Sequence, residues 1–97
     1  MHEYLKNHIH EEIEGAVDYL TKALELKGKA PDIASKFYRM SEMEAEHAGC
    51  LTKIFSSTEK PDSISDASFS EMQKSIIDDY VNSMSRIENM KKLYWSK

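Results

Sequence analysis

Apolar residues recur along the chain at the three- and four-residue spacing of amphipathic α-helices, in three separate stretches. A glycine and a proline within residues 28–32 separate the first stretch from the second. A polar segment without periodicity, residues 56–63, follows the second. Ser68 and Glu71 have the spacing of a capping box at the start of the third. The pattern predicts three helices, over about residues 2–27, 32–56 and 69–95.

The connection between the first two helices is short, which predicts an antiparallel hairpin, because short loops join neighbouring helices. Two helices cannot bury an apolar face alone, so we expect the third helix to cover part of it and a second subunit to cover the rest. A composition of 40% hydrophobic and 31% charged residues suits such helices. A chain of 97 residues forms a small and marginally stable domain. We predict one all-α domain over residues 1–97 that dimerises into a four-helix bundle.

Charge and cysteine content narrow the classes of partner and the cellular location. The net charge of -4 gives no electrostatic attraction to nucleic acid or to an anionic membrane. No apolar run approaches the roughly 20 residues of a membrane span, and the first residues do not resemble a signal peptide. The single cysteine, Cys50, excludes an intrachain disulfide and a cysteine-based metal site. These features predict a cytoplasmic protein.

Three polar residues interrupt the apolar stripes of the first two helices. In the second helix, Glu44 and His47 fall on the stripe of residues 33, 37, 40, 44, 47, 51 and 54. In the first helix, Glu12 falls on the stripe of residues 5, 9, 12, 16, 19, 23 and 26. A desolvated carboxylate must be paired, protonated or bound to a metal. Because residues three apart share a helix face, Glu44 and His47 can bind the same ion.

The ligand types and their number predict a di-iron centre shared by two copies of the chain. Carboxylate and imidazole donors suit iron or manganese. Ferritin-like di-iron bundles take one Glu from each of two helices and a Glu-x-x-His pair from each of the other two. One chain has Glu12 on one helix and Glu44 with His47 on another, and the third helix contains no histidine. A twofold dimer would complete the set.

Residues 11–19 and 42–48 resemble the encapsulated ferritin-like proteins, short half-ferritins that are packaged in encapsulin shells. The resemblance implies a ferroxidase, with two iron ions at each dimer interface, dimers assembled into rings, and an encapsulin shell that encloses the mineral. It places Glu12, Glu44 and His47 on the iron ligands and Tyr19 on an aromatic residue beside the centre. It also implies that Glu11 and Glu14 line a route by which iron reaches the site.

The remaining candidate residues have simpler interpretations as well. Glu11 and Glu14 lie off the inward stripe, where carboxylates are usually solvated, and Tyr19 is either a core residue or a hydrogen-bond partner of a ligand. We interpret Cys50 as a small buried residue. Gly15 costs about 1 kcal/mol relative to alanine inside a helix, which indicates a close approach by another helix.

Two other functions fit the same residues. A buried polar cluster can fix the register of a non-catalytic oligomerisation or adaptor module without any metal. Alternatively, the centre belongs to another di-metal enzyme that uses manganese or iron, such as a peroxidase. A complete rubrerythrin with a four-cysteine rubredoxin-type site is disfavoured, because the chain has one cysteine.

Overall fold

The computed structural model describes residues 1–96, which form three α-helices and no β-strand. Helix α1 spans His2–Leu26, α2 spans Pro31–Ser57 and α3 spans Asp66–Trp95. The predicted all-α class is confirmed. None of the helices in this described part is long and apolar enough to cross a membrane.

The turn between α1 and α2 follows from local hydrogen bonding and from the proline. The backbone N–H groups of Lys29 and Ala30 both donate to the carbonyl of Leu26, at 3.0 and 2.8 Å, and these bonds close the last turn of α1. Pro31 occupies the first helical position of α2, where its missing N–H has no intrahelical partner to lose. Both helices therefore have ends within one residue of the predicted ones.

The predicted start of the third helix was wrong by three residues. Ser65 is the N-cap, and its hydroxyl oxygen accepts a hydrogen bond from the backbone N–H of Ser68 at 3.1 Å. Ser68 therefore lies within the first turn and does not cap it with Glu71. Asp66 at the first position adds a favourable negative charge near the helix N-terminus.

Small residues bring α1 and α2 into close contact. Ala16 and Ala23 of α1 are fully buried against α2, which contributes Ala34, Ser41 and Ala48 to its own buried side. The Ser41 hydroxyl donates to the carbonyl of Ala16 at 2.6 Å, so the one buried hydroxyl at the centre of this contact is satisfied. With small side chains at these positions, the helix backbones approach closely there.

Helix α3 packs along one side of the hairpin and is held at both ends. Phe69 lies 5.3 Å, ring to ring, from His2 at the start of α1. At the other end, the Lys27 ammonium donates to the carbonyls of Leu93, Tyr94 and Ser96 at 3.2, 2.6 and 2.7 Å. A cation at this position also interacts favourably with the C-terminal end of the helix dipole.

The hairpin therefore has two unlike sides. On the side we call the covered flank, α3 contacts α2 residues, such as Tyr38, which stacks on Tyr94, and Gly49, next to the Tyr80 hydroxyl. On the opposite side, the open flank, no part of residues 1–96 covers the surface. The open flank consists of Glu12, Gly15 and Tyr19 of α1 and Ile33, Met40, Glu44, His47 and Ile54 of α2.

The predicted inward stripe of the second helix needs a correction. The buried residues of α2 are Ala34, Ser41, Ala48, Thr52 and Phe55. Each of them follows a residue of the predicted stripe by one position. Ile33, Met40 and Ile54 of the predicted stripe are instead 50%, 39% and 51% exposed on the open flank. The reason is steric in the middle of the hairpin, where the small side chains of Ala34, Ser41 and Ala48 fit between α1 and α2. The large Phe55 is accommodated nearer the end of α2, in a cluster with Leu5, Ile9 and Ile76.

Candidate metal centre

Glu12, Glu44 and His47 converge at the middle of the open flank. One ligand atom from each of them lies within 4.8 Å of the other two. The Nδ1 atom of His47 lies 3.4 Å from Oε2 of Glu12. Glu44 and His47 are one turn apart on α2, and Glu12 reaches them from the middle of α1. Two antiparallel helices thus bring together three residues that are 35 positions apart along the chain at most.

The Glu12 carboxylate is not fully satisfied by its neighbours. Its side chain is 23% exposed, and its Oε2 atom is buried without a hydrogen-bond partner in the described part of the chain. The nearby His47 nitrogen does not satisfy this oxygen, because the geometry is not that of a hydrogen bond. A buried carboxylate oxygen without a donor is destabilising by about 1–3 kcal/mol or more. A cation bound among the three residues would remove this penalty, so they fit a metal ion.

The neighbouring carboxylate, Glu44, is also in an unfavourable position when it is ionised. A hydrogen bond that a protonated Glu44 can donate to Glu12 raises the pKa of Glu44 above its usual value, and partial burial and the negative charge of Glu12 raise it further. The positive charge of His47 acts in the opposite direction on this pKa. Two carboxylates this close favour holding a proton or a metal ion between them.

The chemistry of the donors agrees with iron or manganese. Two carboxylates and one imidazole provide hard oxygen ligands and a borderline nitrogen, and no thiolate takes part. Within residues 1–96, this is the one group of three or more such side chains close enough to hold an ion. It contains one carboxylate helix and one Glu-x-x-His helix, which is half of the ligand set of a ferritin-like bundle.

The other residues singled out from the sequence lie around the centre or away from it. Tyr19 is half-buried, with its ring 6.1 Å from that of Phe37, and among the described residues its hydroxyl makes no hydrogen bond to a ligand. Glu11 and Glu14 are both exposed on the outside of α1, and Glu11 lies 3.7 Å from the Nδ1 atom of His8. A role of these acidic residues in guiding iron stays a prediction.

Two sequence interpretations change with the structure. Cys50 is exposed, and the prediction that it is buried was wrong, because its position on α2 points away from both α1 and α3. Gly15 does mark a close approach, but the approaching group is the Glu44 side chain rather than a helix backbone. The position of Gly15, one turn after Glu12 on the same face, was the sequence signal for this contact.

Comparison with known proteins identifies the family of this chain. The family model for rubrerythrin matches residues 3–94, a region that includes all of α2, all but one terminal residue each of α1 and α3, and all three candidate ligands. Searches of curated proteins and of solved structures gave no match. The extent of the family match is decisive, and the chain belongs to the rubrerythrin family of ferritin-like di-iron proteins.

Proposed function

We propose that this protein is a ferroxidase, which oxidises Fe(II) to Fe(III) with oxygen at a di-iron centre shared between two copies of the chain. The observation that carries the proposal is the convergence of Glu12, Glu44 and His47 on an uncovered flank, with a buried carboxylate oxygen that has no partner. Membership of the rubrerythrin family supports iron as the metal.

The number of ligands argues for two copies. One chain brings two carboxylates and one imidazole to the open flank, so a twofold dimer brings four carboxylates and two imidazoles. Four negative charges balance the four positive charges of two Fe(II) ions. Charge neutrality matters at a buried site, since an unbalanced charge there costs several kcal/mol. A dimer without metal would place four carboxylates close together, and we therefore expect metal binding and dimerisation to be one linked equilibrium.

The surface around the centre suits a second copy. Ile33, Met40 and Ile54 are large apolar residues that one chain leaves 50%, 39% and 51% exposed, and they lie on both sides of the ligands along α2. A partner that covers them would gain hydrophobic free energy and would exclude water from the metal centre. The same flank on both subunits would form a self-complementary contact about a twofold axis.

Each ligand has a distinct role in the proposed centre. Glu12 would hold the iron from α1, and Glu44 and one imidazole nitrogen of His47 would hold it from α2. Two bound Fe(II) ions would supply two electrons to one O2, which takes up two protons and leaves as hydrogen peroxide. The chain itself contributes the positions of the ligands, the balance of charge and a site sheltered from water.

The proposal is tested by adding Fe(II) without oxygen, then oxygen, and following Fe(III) formation by absorbance. We expect the wild type to oxidise iron well above the protein-free rate. We expect Glu44→Ala to lose at least roughly 100-fold of that catalysed rate, since even groups behind the ligands are worth 10–100-fold. Glu46→Ala is the matched control, because Glu46 is exposed on the same helix two residues away. Equal oxidation rates for wild type and Glu44→Ala would refute the ferroxidase proposal.

The shared site is tested separately by sedimentation velocity, with and without Fe(II) under anaerobic conditions. We expect Fe(II) to convert monomer to dimer, with one iron bound per chain. A monomer that binds two iron ions would exclude a centre shared across an interface. A dimer that binds no metal in stoichiometric amount would favour the alternative of a non-catalytic oligomerisation module.

The biological setting belongs to the proposal as well. The resemblance to encapsulated ferritin-like proteins suggests iron storage or detoxification, with rings of dimers packaged in an encapsulin shell. Native mass spectrometry of the iron-loaded protein tests the ring, and co-purification with a co-expressed encapsulin tests packaging. Repeating the oxidation assay with hydrogen peroxide in place of oxygen identifies the other di-metal alternative, because a peroxidase would react faster with the peroxide.

A further inference from the structure

Gly15 lies against the side chain of one candidate ligand. A Cβ atom built on Gly15 would lie 3.0 Å from Oε2 of Glu44, 3.5 Å from its Cδ and 3.6 Å from its Cγ. All three of the nearest atoms thus belong to the Glu44 side chain. The absence of a side chain at residue 15 leaves a space on α1, and the Glu44 side chain fills it.

The backbone gives no other reason for a glycine at this position. Gly15 lies in the interior of α1, and no described glycine has a positive φ angle. Glycine in a helix interior is less stable than alanine because it loses more conformational freedom on folding. Therefore the space next to Glu44 is what distinguishes this glycine, and it comes at a cost to the stability of α1.

We propose that Gly15 is a positioning residue for the metal centre, because its missing side chain lets the Glu44 carboxylate lie against α1 within reach of Glu12. This inference deepens the proposed function and rests on it, since it assumes that Glu44 binds metal. A side chain at residue 15 would push the carboxylate outwards by a few tenths of an ångström. Such a shift takes up most of the roughly 0.5 Å within which a metal site must hold its ligands, and the added methyl group keeps the carboxylate from returning to α1 when an ion binds, so we expect weaker binding.

Gly49 provides a matched comparison within the same fold. It also lies inside a helix, α2, and a Cβ atom built on it would lie 3.0 Å from a terminal side-chain oxygen, that of Tyr80. The two glycines therefore have the same helical setting and the same tight contact. They differ in what they accommodate, because Gly15 faces a candidate ligand on the open flank and Gly49 faces α3 on the covered flank.

The test compares Gly15→Ala with Gly49→Ala for thermal unfolding without metal and for Co(II) affinity by titration calorimetry. We expect Tm to rise by roughly 2–8 °C in both variants, because each gains helix propensity and each neighbour is the end of a flexible side chain. We expect Gly15→Ala to bind Co(II) at least roughly 10-fold more weakly than wild type. Gly49→Ala should bind within about twofold of wild type, the range expected for a change away from the ligands.

The contrast between stability and affinity makes the proposal falsifiable. Wild-type Co(II) affinity in a folded Gly15→Ala variant would overturn it, and so would an equal loss of affinity in Gly49→Ala. A double-mutant cycle with Glu44→Ala tests the same point. Alanine at residue 44 has none of the three Glu44 atoms that lie near residue 15, so Gly15→Ala should weaken the remaining Co(II) binding far less in the Glu44→Ala background than in the wild type.

A crystal structure of the wild-type protein with Co(II) decides the case even if Gly15→Ala does not fold. We expect the metal-bound Glu44 carboxylate to stay in contact with α1 at Gly15. A carboxylate more than about 4 Å from the position of a Cβ on Gly15 would overturn the proposal. Failure of the proposed function is distinguishable: a wild type that binds Co(II) but does not oxidise Fe(II) refutes the ferroxidase and leaves the affinity comparison decisive. A wild type that binds no Co(II) refutes both.

Discussion

The two flanks of the α1–α2 hairpin differ in what completes them. On the covered flank, α3 of the same chain packs over the hairpin, and Ile87 is only 1% exposed within a cluster that includes Leu20 and Tyr38. On the open flank, Ile54 is 51% exposed, and a buried oxygen of Glu12 has no hydrogen-bond partner among the described residues. One flank is satisfied within residues 1–96, whereas the other has exposed apolar side chains and a carboxylate oxygen without a hydrogen-bond partner among these residues.

This difference separates the residues that fold the chain from those of the proposed metal centre. The covered flank gains its stability from apolar burial, which does not depend on metal or on a partner. The open flank keeps an unsatisfied carboxylate and exposed apolar side chains, and these cost stability in a single chain. Proteins commonly retain such local costs where a ligand binds, because binding removes them. Substitutions on the covered flank should therefore mainly change the stability of the metal-free chain, and substitutions on the open flank should mainly change metal binding and dimerisation.

The largest expected effect contrasts Ile87→Ala with Ile54→Ala in the metal-free protein. Replacing a buried isoleucine by alanine destabilises a protein by about 2–5 kcal/mol, because apolar burial is lost and a cavity remains. Ile54 is half-exposed, so its loss should cost about 0.5 kcal/mol or less in a single chain. Urea denaturation measures both free energies of unfolding.

For dimerisation, Ile54→Ala should have the larger effect of the two variants. With Fe(II) and no oxygen, Ile54→Ala should raise the dimer dissociation constant, because it removes apolar area from the proposed interface. Sedimentation measures this constant. If Ile54→Ala destabilised the metal-free chain as much as Ile87→Ala does, the difference in burial between the two flanks would be contradicted. The open flank would then already be covered in one chain.

The hairpin and the candidate ligands were predictable from the sequence because both depend on local spacing. A glycine and a proline end one helix and begin the next, and Glu44 and His47 share a face of any α-helix. Glu12 could be chosen over Glu11 because the apolar stripe of α1 passes through residues 5, 9, 16 and 23, all of which are buried.

Features that depend on how helices pack could not be obtained in this way. The stripe of α2 was displaced by one position, because helix periodicity alone does not show that the small residues Ala34, Ser41 and Ala48 would be preferred between two helices in close contact. Cys50 was misplaced for the same reason. The N-cap at Ser65 was missed because two serines three residues apart each offer a plausible cap, and the choice depends on the hydrogen bond to the Ser68 N–H.

A smaller effect is expected at the end of α3, which fixes the covered flank. Lys27→Met keeps the aliphatic length of the side chain and removes the ammonium that donates to the carbonyls of Leu93, Tyr94 and Ser96. We expect a loss of about 1–2 kcal/mol in the free energy of unfolding, because a charged donor at a helix C-terminus is removed. Lys29→Met is the control, since Lys29 is exposed in the same turn.

The Co(II) affinity of Lys27→Met tests whether the two flanks are independent. The change at Lys27 should leave Co(II) binding nearly unaltered, because α3 contacts the flank opposite to the ligands. A substantial loss of Co(II) affinity in Lys27→Met would show that the covered flank helps to position the ligands, and the two flanks would then no longer be independent.

The smallest expected effect is a dependence of stability on pH that originates on the open flank. The pKa of Glu44 is raised in the folded chain above its ordinary value of 4.5, first by the hydrogen bond that a protonated Glu44 can donate to Glu12 and then by burial. The folded state therefore holds this proton more tightly than the unfolded state does. The stabilisation that this bound proton gives to the folded state is fully present below pH 4.5, and it is lost as the pH rises through the folded-state pKa of Glu44. Glu44→Gln cannot titrate, so the metal-free wild type should lose stability relative to this variant as the pH increases.

Metal should reverse this trend, because the ion takes the place of the proton between the two carboxylates. With Co(II) present, the wild type should gain stability relative to Glu44→Gln as the pH rises, since binding then no longer competes with protonation. Urea denaturation from pH 4 to pH 7, with and without Co(II), measures both differences. A wild type that loses stability relative to Glu44→Gln to the same extent with and without Co(II) would mean that the ion does not replace the proton. The open flank would then be an ordinary acidic surface rather than half of a metal centre.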